Sequence, residues 1–285
     1  MEIRLNTHGM NKLSTKTFIS DIQHGFLVSS VIVMGKKECV LVDAQWSIAN
    51  GHRVAAEIIE TGLDLKAIYI THAHPDHYFG LEPIVDTFPN AKILALPIVC
   101  KYVEEQFNDK ATHWEDIIGK NNVPRRVIQL EPLLADHIEL EGERIEIIPK
   151  IMGDMRYNTV VWIPSIKTLI AADVLEMMTH LFVCEITKED RAQWIKDIEY
   201  LETLGAEVVI PGHAKPGCPF DDSVFDYCKT YLRAAEEQLE KTESAAEYFL
   251  AMCQLYPDSV LINLSNEMNA MVLKGGREWA LWNED

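Results

Sequence analysis

The chain is short of positive charge. Its 285 residues carry 26 Lys and Arg against 44 Asp and Glu, a formal net charge of −18. Such a surface repels phosphate backbones, which argues against nucleic acid as a partner and against a nuclease activity. No apolar run reaches membrane length, and Met1 to Met10 lacks the apolar core of an export signal. The six cysteines, Cys39, Cys100, Cys184, Cys218, Cys228 and Cys253, include no C-x-x-C pair. They read as reduced thiols in a cytoplasmic protein, mostly small core residues. Internal repeats, low-complexity tracts and a flexible linker are also absent from the sequence.

What is present is an alternation of short elements. Phe26 to Met34 and Glu38 to Val42, separated by Gly35-Lys36-Lys37, predict a hairpin. Gly51 to Thr61 predicts a helix, Leu65 to Ile70 a strand, Asp76 to Phe88 a helix and Ala91 to Leu96 a strand. Pro97 to Asn121 is mostly helical in pattern. Five short strands follow, at Arg126 to Leu130, His137 to Leu140, Arg144 to Pro149, Thr159 to Ile163 and Thr168 to Ala172. Then come an amphipathic helix at Lys188 to Leu204 and a strand at Glu207 to Ile210. The order predicts sheets covered by helices, an α/β layered fold. After about Phe220 the pattern is helical only, with breaks near Glu243 and at Pro257. Phe225, Cys228, Tyr231 and Leu232 fall on one helical face and are expected to pack inward.

The segment Thr71-His72-Ala73-His74-Pro75-Asp76-His77 carries the chemistry. Imidazole and carboxylate are the ligands a borderline divalent cation prefers. On an extended stretch His72 and His74 point to one side, while Asp76 and His77 reach a second point in the following turn. One segment can thus begin two adjacent metal sites. By average residue usage, a chance occurrence of the pattern is on the order of one in ten thousand. Asp43, Asp154, Asp173 and His213 each lie just past a predicted strand, where polar residues converge on one edge of a layered α/β sheet.

The series His72-x-His74-x-Asp76-His77, then Asp173, then Pro211-Gly212-His213, resembles the metallo-β-lactamase superfamily of metal-dependent hydrolases, over about residues 20 to 215. The resemblance implies a four-layer αββα sandwich with a dinuclear site, as residues 1–220, and leaves 221–285 as a helical extension packed on it. It implies that His72 and His74 hold one metal, Asp76, His77 and His213 the other, and that Asp173 bridges them. It further implies that Asp76 orients the attacking hydroxide and passes its proton on. Asp43 resembles the family's buried aspartate beneath the site; a plain strand-end turn residue is the alternative.

One position departs from the family. Where Gly-His-Thr/Ser-Pro-Gly is usual, this chain has Gly153-Asp154-Met155-Arg156-Tyr157. Asp154 then serves as the third ligand of the first metal, or that site is weak, or another residue completes it. Two divalent ions bring four positive charges; Asp76, Asp173 and a bridging hydroxide remove three, and an ionised Asp154 removes the last. A less positive centre favours harder ions in relative terms. The expected cofactors are therefore two divalent ions, zinc first, with manganese or iron as alternatives. Tyr157, Arg156 and His180 are candidate substrate contacts by proximity in sequence. Met152, Met155, Met177 and Met178, together with Trp46, are candidate pocket walls. The expected activity is hydrolysis of a small-molecule ester, lactone, thioester or related bond. Iron-dependent redox chemistry on oxygen or persulfides is the alternative, because of the carboxylate at 154. The helical extension is expected to cover the main domain or to form a homodimer contact.

Overall fold

The computed structural model describes residues 1–7 and 13–279. The first sheet has seven strands in chain order: Glu2–Asn6, Ser14–Ile19, Ser29–Met34, Glu38–Val42, Asp64–Ile70, Lys92–Ala95 and Glu131–Pro132. The hairpin around Gly35 is present as an antiparallel pair. From Glu38–Val42 onward the strands run parallel, so their C-terminal ends share one edge. The second sheet has the order Val208–Ile210, Thr168–Ile170, Asn158–Ile163, Glu143–Ile151, His137–Leu140.

Period-two alternation builds the layers. Val31, Val33, Val40, Val42 and Tyr69 face the second sheet and pack on Ile145, Ile147, Val161 and Ile163. Their neighbours Ile32, Leu41, Ile68 and Ile70 face outward onto the helices Ile48–Thr61 and Pro97–Ile118. The opposite face of the second sheet, with Val160, Trp162 and Leu169, packs on the helix Lys188–Glu202. The result is the four-layer αββα arrangement expected from the sequence. Local signals fix the helix ends. Ser47 accepts from Asn50 N at the start of Ile48–Thr61, and Thr187 with Asp190 forms a reciprocal cap on Lys188–Glu202.

The C-terminal extension consists of helices Ser223–Lys241, Ala245–Leu255 and Glu267–Leu273, with a π-helical turn at Ile262–Asn266. Phe225, Cys228, Tyr231 and Leu232 are buried in the same apolar cluster as Trp194 and Leu175, so the extension completes the outer core of the second sheet. Among the described residues, no helix is long and apolar enough to cross a membrane.

The structure corrects two element assignments. Asp76 to Phe88 is two short helices, Pro75–Tyr78 and Leu81–Thr87. At the break, Gly80 N donates to Gln45 O at 2.8 Å, and a Cβ on Gly80 would stand 2.0 Å from Ala44 O. The backbone must dock there, and a continuous helix could not. Arg126 to Leu130 is not a strand: Arg125 N donates to Glu82 at 2.7 Å and Arg126 pairs with Asp86, tying this stretch to the helix Leu81–Thr87. The strands Glu2–Asn6 and Ser14–Ile19 were not anticipated; they add an antiparallel edge to the first sheet.

Candidate metal centre

The apolar strands end where the polar residues begin. Val42 runs into Asp43, Ile70 into Thr71-His72, Ile151 into Asp154, Ile170 into Asp173 and Ile210 into His213, and the loops meet over one edge of the sandwich. Two groups of side chains result, each with its ligand atoms within 4.8 Å of one another: His72, His74, Asp154 and Asp173, and Asp76, His77, Asp173 and His213. All seven residues expected as metal ligands are thus brought together, and Asp173 belongs to both groups. His74 Nδ1 lies 2.7 Å from Asp154 Oδ2, so the aspartate at the departing position points at the cluster. Asp173 Oδ2 lies 3.1 Å from His77 Nε2, 3.2 Å from His213 Nε2 and 3.6 Å from His72 Nε2.

Each histidine spends one ring nitrogen on a support and turns the other inward. His77 Nδ1 lies 2.8 Å from Asp43 Oδ2, and His213 Nδ1 donates to Phe26 O at 2.8 Å. His74 Nε2 lies 2.7 Å from Glu185 Oε2. His72 Nδ1 stands 3.0 Å from Thr71 Oγ1, which itself donates to Asp43 Oδ2 at 2.9 Å. Protons on these supported nitrogens leave a lone pair on each inward nitrogen, as metal-binding imidazoles require. Asp43 therefore acts beneath the site, holding Thr71 and His77 together. Its backbone φ of 59° is the cost of turning the chain there. Gly212 leaves room for the shared ligand: a Cβ on it would come within 2.2 Å of Asp173 Oδ1.

The charge balance has a clear direction without an ion. Burial opposes protonation of His74, but Asp154 and Glu185 outweigh it and raise its pKa well above the ordinary value. Burial likewise opposes protonation of His77 and His213; Asp173 leads the carboxylates that raise both. Burial is the main cause that lowers His72, helped by the neighbouring His77. Burial works against ionisation of Asp173, yet His77 and His213 hold it well below the carboxylate range. His72 Nε2 is buried with no hydrogen-bond partner among the described residues, and Asp173 Oδ1, equally buried, has only the His77 ring nitrogen 3.1 Å away. Unsatisfied buried donor or acceptor atoms are costly. A cation between the two atoms would satisfy both, and the donor set of imidazole and carboxylate suits zinc, iron or manganese. The residues present fit two divalent ions.

The groups sit at the floor of a cavity of about 620 Å³, counting its open mouth. Trp46 lines it, as expected; Met152, Met155, Met177 and Met178 do not. None of the three expected substrate contacts lines the cavity. Arg156 pairs with Asp190 at 3.0 Å on the surface, and the Tyr157 ring packs 6.1 Å from that of Tyr102. His180 is buried, its Nδ1 3.0 Å from Tyr231 Oη, and burial pushes its pKa down to about 4. Each of the three side chains turns into a different contact: Arg156 to Asp190, Tyr157 to Tyr102 and His180 to Tyr231. Sequence reasoning missed Glu185, Glu176 and the walls Phe26, Trp114, Phe182 and Trp279. The Glu185 carboxylate accepts from the Trp279 indole N–H as well as facing His74. No local sequence signal marks Glu185; its neighbour Cys184 is a buried free thiol.

Comparison with known proteins gives the same frame. Uncharacterized protein YobT of Bacillus subtilis (strain 168) is 31% identical over 70 residues, which cover 24% of this chain and 29% of that relative's length. A DIM-1 metallo-beta-lactamase crystal structure, from protein exposed to ceftazidime, superposes with a TM-score of 0.59 at 22% identity, over 82% of this chain and 98% of that one. A metallo-beta-lactamase from Pontibacter korlensis gives a TM-score of 0.59 at 20% identity, over 81% of this chain and 99% of that one. At these identities the likeness speaks for the fold. The sequence profile of the metallo-beta-lactamase superfamily matches residues 24–213, more than half of the chain and a span that contains all seven candidate ligands, and the chain belongs to that superfamily.

Proposed function

We propose that the protein is a hydrolase that uses two divalent ions, zinc first and manganese or iron as alternatives, to set water against a small ester, lactone, thioester or related bond. The observation that carries this reading is the pair of ligand groups sharing Asp173 at the floor of a cavity. Bound there, the ions would lower the pKa of water and polarise the acyl oxygen. His72, His74 and Asp154 would hold one ion, His77, His213 and Asp76 the other. Asp76 lines the cavity, with Oδ2 3.3 Å from His213 Nε2, and its side chain is 16% exposed. A partly exposed carboxylate at that edge can accept a proton from water and return it to the leaving group. The test is reconstitution: metal-free protein is loaded with zinc, manganese or iron and assayed against ester, lactone and thioester panels. Activity should return with metal and vanish with chelator; no turnover with any metal would remove the reading.

The donor count favours a second reading. With Asp154 in place, each half offers two imidazoles and one carboxylate besides the shared Asp173, a set suited to ferrous iron. Redox chemistry on oxygen or a persulfide would then use the same residues. Oxygen uptake by iron-loaded protein with a thiol substrate discriminates, because hydrolysis consumes no oxygen.

A further inference from the structure

We infer that the C-terminal extension sets the substrate class: it closes a slot between two aromatic walls, and the site takes a molecule with an aromatic ring beside its reacting bond. The fit of the ring does not depend on the reaction; that the bond is hydrolysed rests on the reading above.

The cavity has the candidate metal ligands at its floor and rings along its sides. Phe26, Trp46, Trp114, Phe182 and Trp279 all line it. One wall rises from the half that holds His213. The Phe26 carbonyl accepts from His213 Nδ1, the Phe26 ring packs on Trp46, and Trp46 meets Trp114 edge-on at 5.1 Å between centroids. The other wall rises from the half that holds His74. The Phe182 ring lies 6.5 Å from that of His74 and 5.4 Å from that of Trp279. The walls meet at His113, whose ring is 5.0 Å from Trp114 and 6.2 Å from Trp279.

The extension decides how much room the slot leaves. Leu261, Leu264 and Trp279 line the cavity, and all three lie beyond residues 24–213, the span shared with the superfamily. Leu261 opens the π-helical turn with φ at 61°, a left-handed conformation that leucine keeps only where packing holds it. Such turns recur at functional sites.

The walls are rigid. Trp46 and Trp114 are 2% and 8% exposed, and the Trp279 indole N–H is fixed on Glu185. Rings held in place cost little further ordering when a guest arrives. A flat ring between them gains offset and edge-to-face contacts, while an aliphatic chain of equal size loses rotamer freedom there.

The test uses full-length, metal-loaded protein and three probes that share one chelating head: acetohydroxamic, heptanohydroxamic and benzohydroxamic acids. Calorimetry should show benzohydroxamic acid binding roughly tenfold tighter than either of the others. Equal affinity for the three, or tighter binding of the heptanoyl probe, overturns the aromatic class. Leu264→Ala and Leu264→Trp, which widen and narrow the slot, should each cut the preference for the ring at least threefold, with metal content showing that the site is formed. An undiminished preference in a variant that keeps its metal overturns the role of the extension. Turnover of methyl benzoate and methyl acetate is measured alongside. Ring preference in binding without turnover of either ester removes the hydrolase reading and leaves the slot standing. Turnover of both, with equal hydroxamate affinities, removes the slot and leaves the hydrolase reading.

Discussion

The two halves of the candidate metal centre are alike in donors and unlike in support. Each has two histidines and one aspartate, with Asp173 between them. The half built on Asp76, His77 and His213 is braced by Asp43 and the Phe26 carbonyl, both at the edge of the first sheet. The half built on His72, His74 and Asp154 is braced by Thr71 and by Glu185, and Glu185 is itself held by Trp279. Trp279 lies beyond the span the superfamily profile matches. Equal ligand sets can thus differ in rigidity and metal affinity, because outer partners set ring orientation and basicity. The half that carries the departing aspartate is also the half that depends on the extension.

The comparison breaks most completely at the shared ligand. Asp173→Ala should abolish stoichiometric metal binding in both halves, an effect beyond the roughly 10- to 100-fold expected for an outer partner. Elemental analysis of the purified variant checks it, and one retained ion per chain would show that the halves are independent. Asp154→Ala should empty only the first half, leaving about half the metal of the parent protein. Asp154→His in the same assay should raise the preference for zinc over manganese, since it removes a hard ligand and one negative charge.

The difference in support is read next. Asp43→Asn should weaken the second half through His77 by roughly 10- to 100-fold in metal affinity, and the first half less, through Thr71 and His72; Glu185→Gln should weaken the first half alone by a similar factor. Chelator competition followed by metal analysis would separate them; loss from the second half in Glu185→Gln would refute the assignment of supports.

Acid should weaken both halves together. His74, His77 and His213 have raised pKa values in the metal-free protein, so ions must displace their protons. Affinity should fall about tenfold per pH unit for each proton displaced as pH drops. The metal-free fold behaves oppositely over this range. Its contribution from these protonated histidines is complete below their ordinary value of 6.5 and is lost as pH rises through the raised values. The gain in Tm on adding metal should therefore widen from mildly acidic to mildly alkaline pH, and a constant gain would contradict it. The smallest effect is expected from Trp279→Phe, which keeps the aromatic wall and removes one hydrogen bond to Glu185. About a twofold to tenfold loss of affinity in the first half alone should follow.

Much of the frame was legible in the sequence. Runs rich in β-branched and apolar residues marked the hairpin and the strand Asp64–Ile70 that delivers His72, and helical spacing in the extension put Phe225, Cys228, Tyr231 and Leu232 inside. Element ends were legible only where side chains decide them. The break at Gly80 depends on a backbone approach by Ala44 and Gln45, which local pattern does not carry. Arg156, Tyr157 and His180 show the same limit at the site, since neighbouring positions in a loop point in different directions.

By itself, the sequence determined which residue types could bind metal and in what order they stand along the chain, because ligand chemistry belongs to the side chain and strand ends are set by local pattern. Tertiary structure alone decided which ring nitrogen of each histidine faces inward, that Asp154 joins the first half, and that Glu185 and Trp279 reach it from far along the chain. These depend on contacts between segments that lie apart in the chain, such as His77 with Asp43, His74 with Asp154 and Glu185, and Glu185 with Trp279, and only packing of the whole chain brings such groups within hydrogen-bond distance.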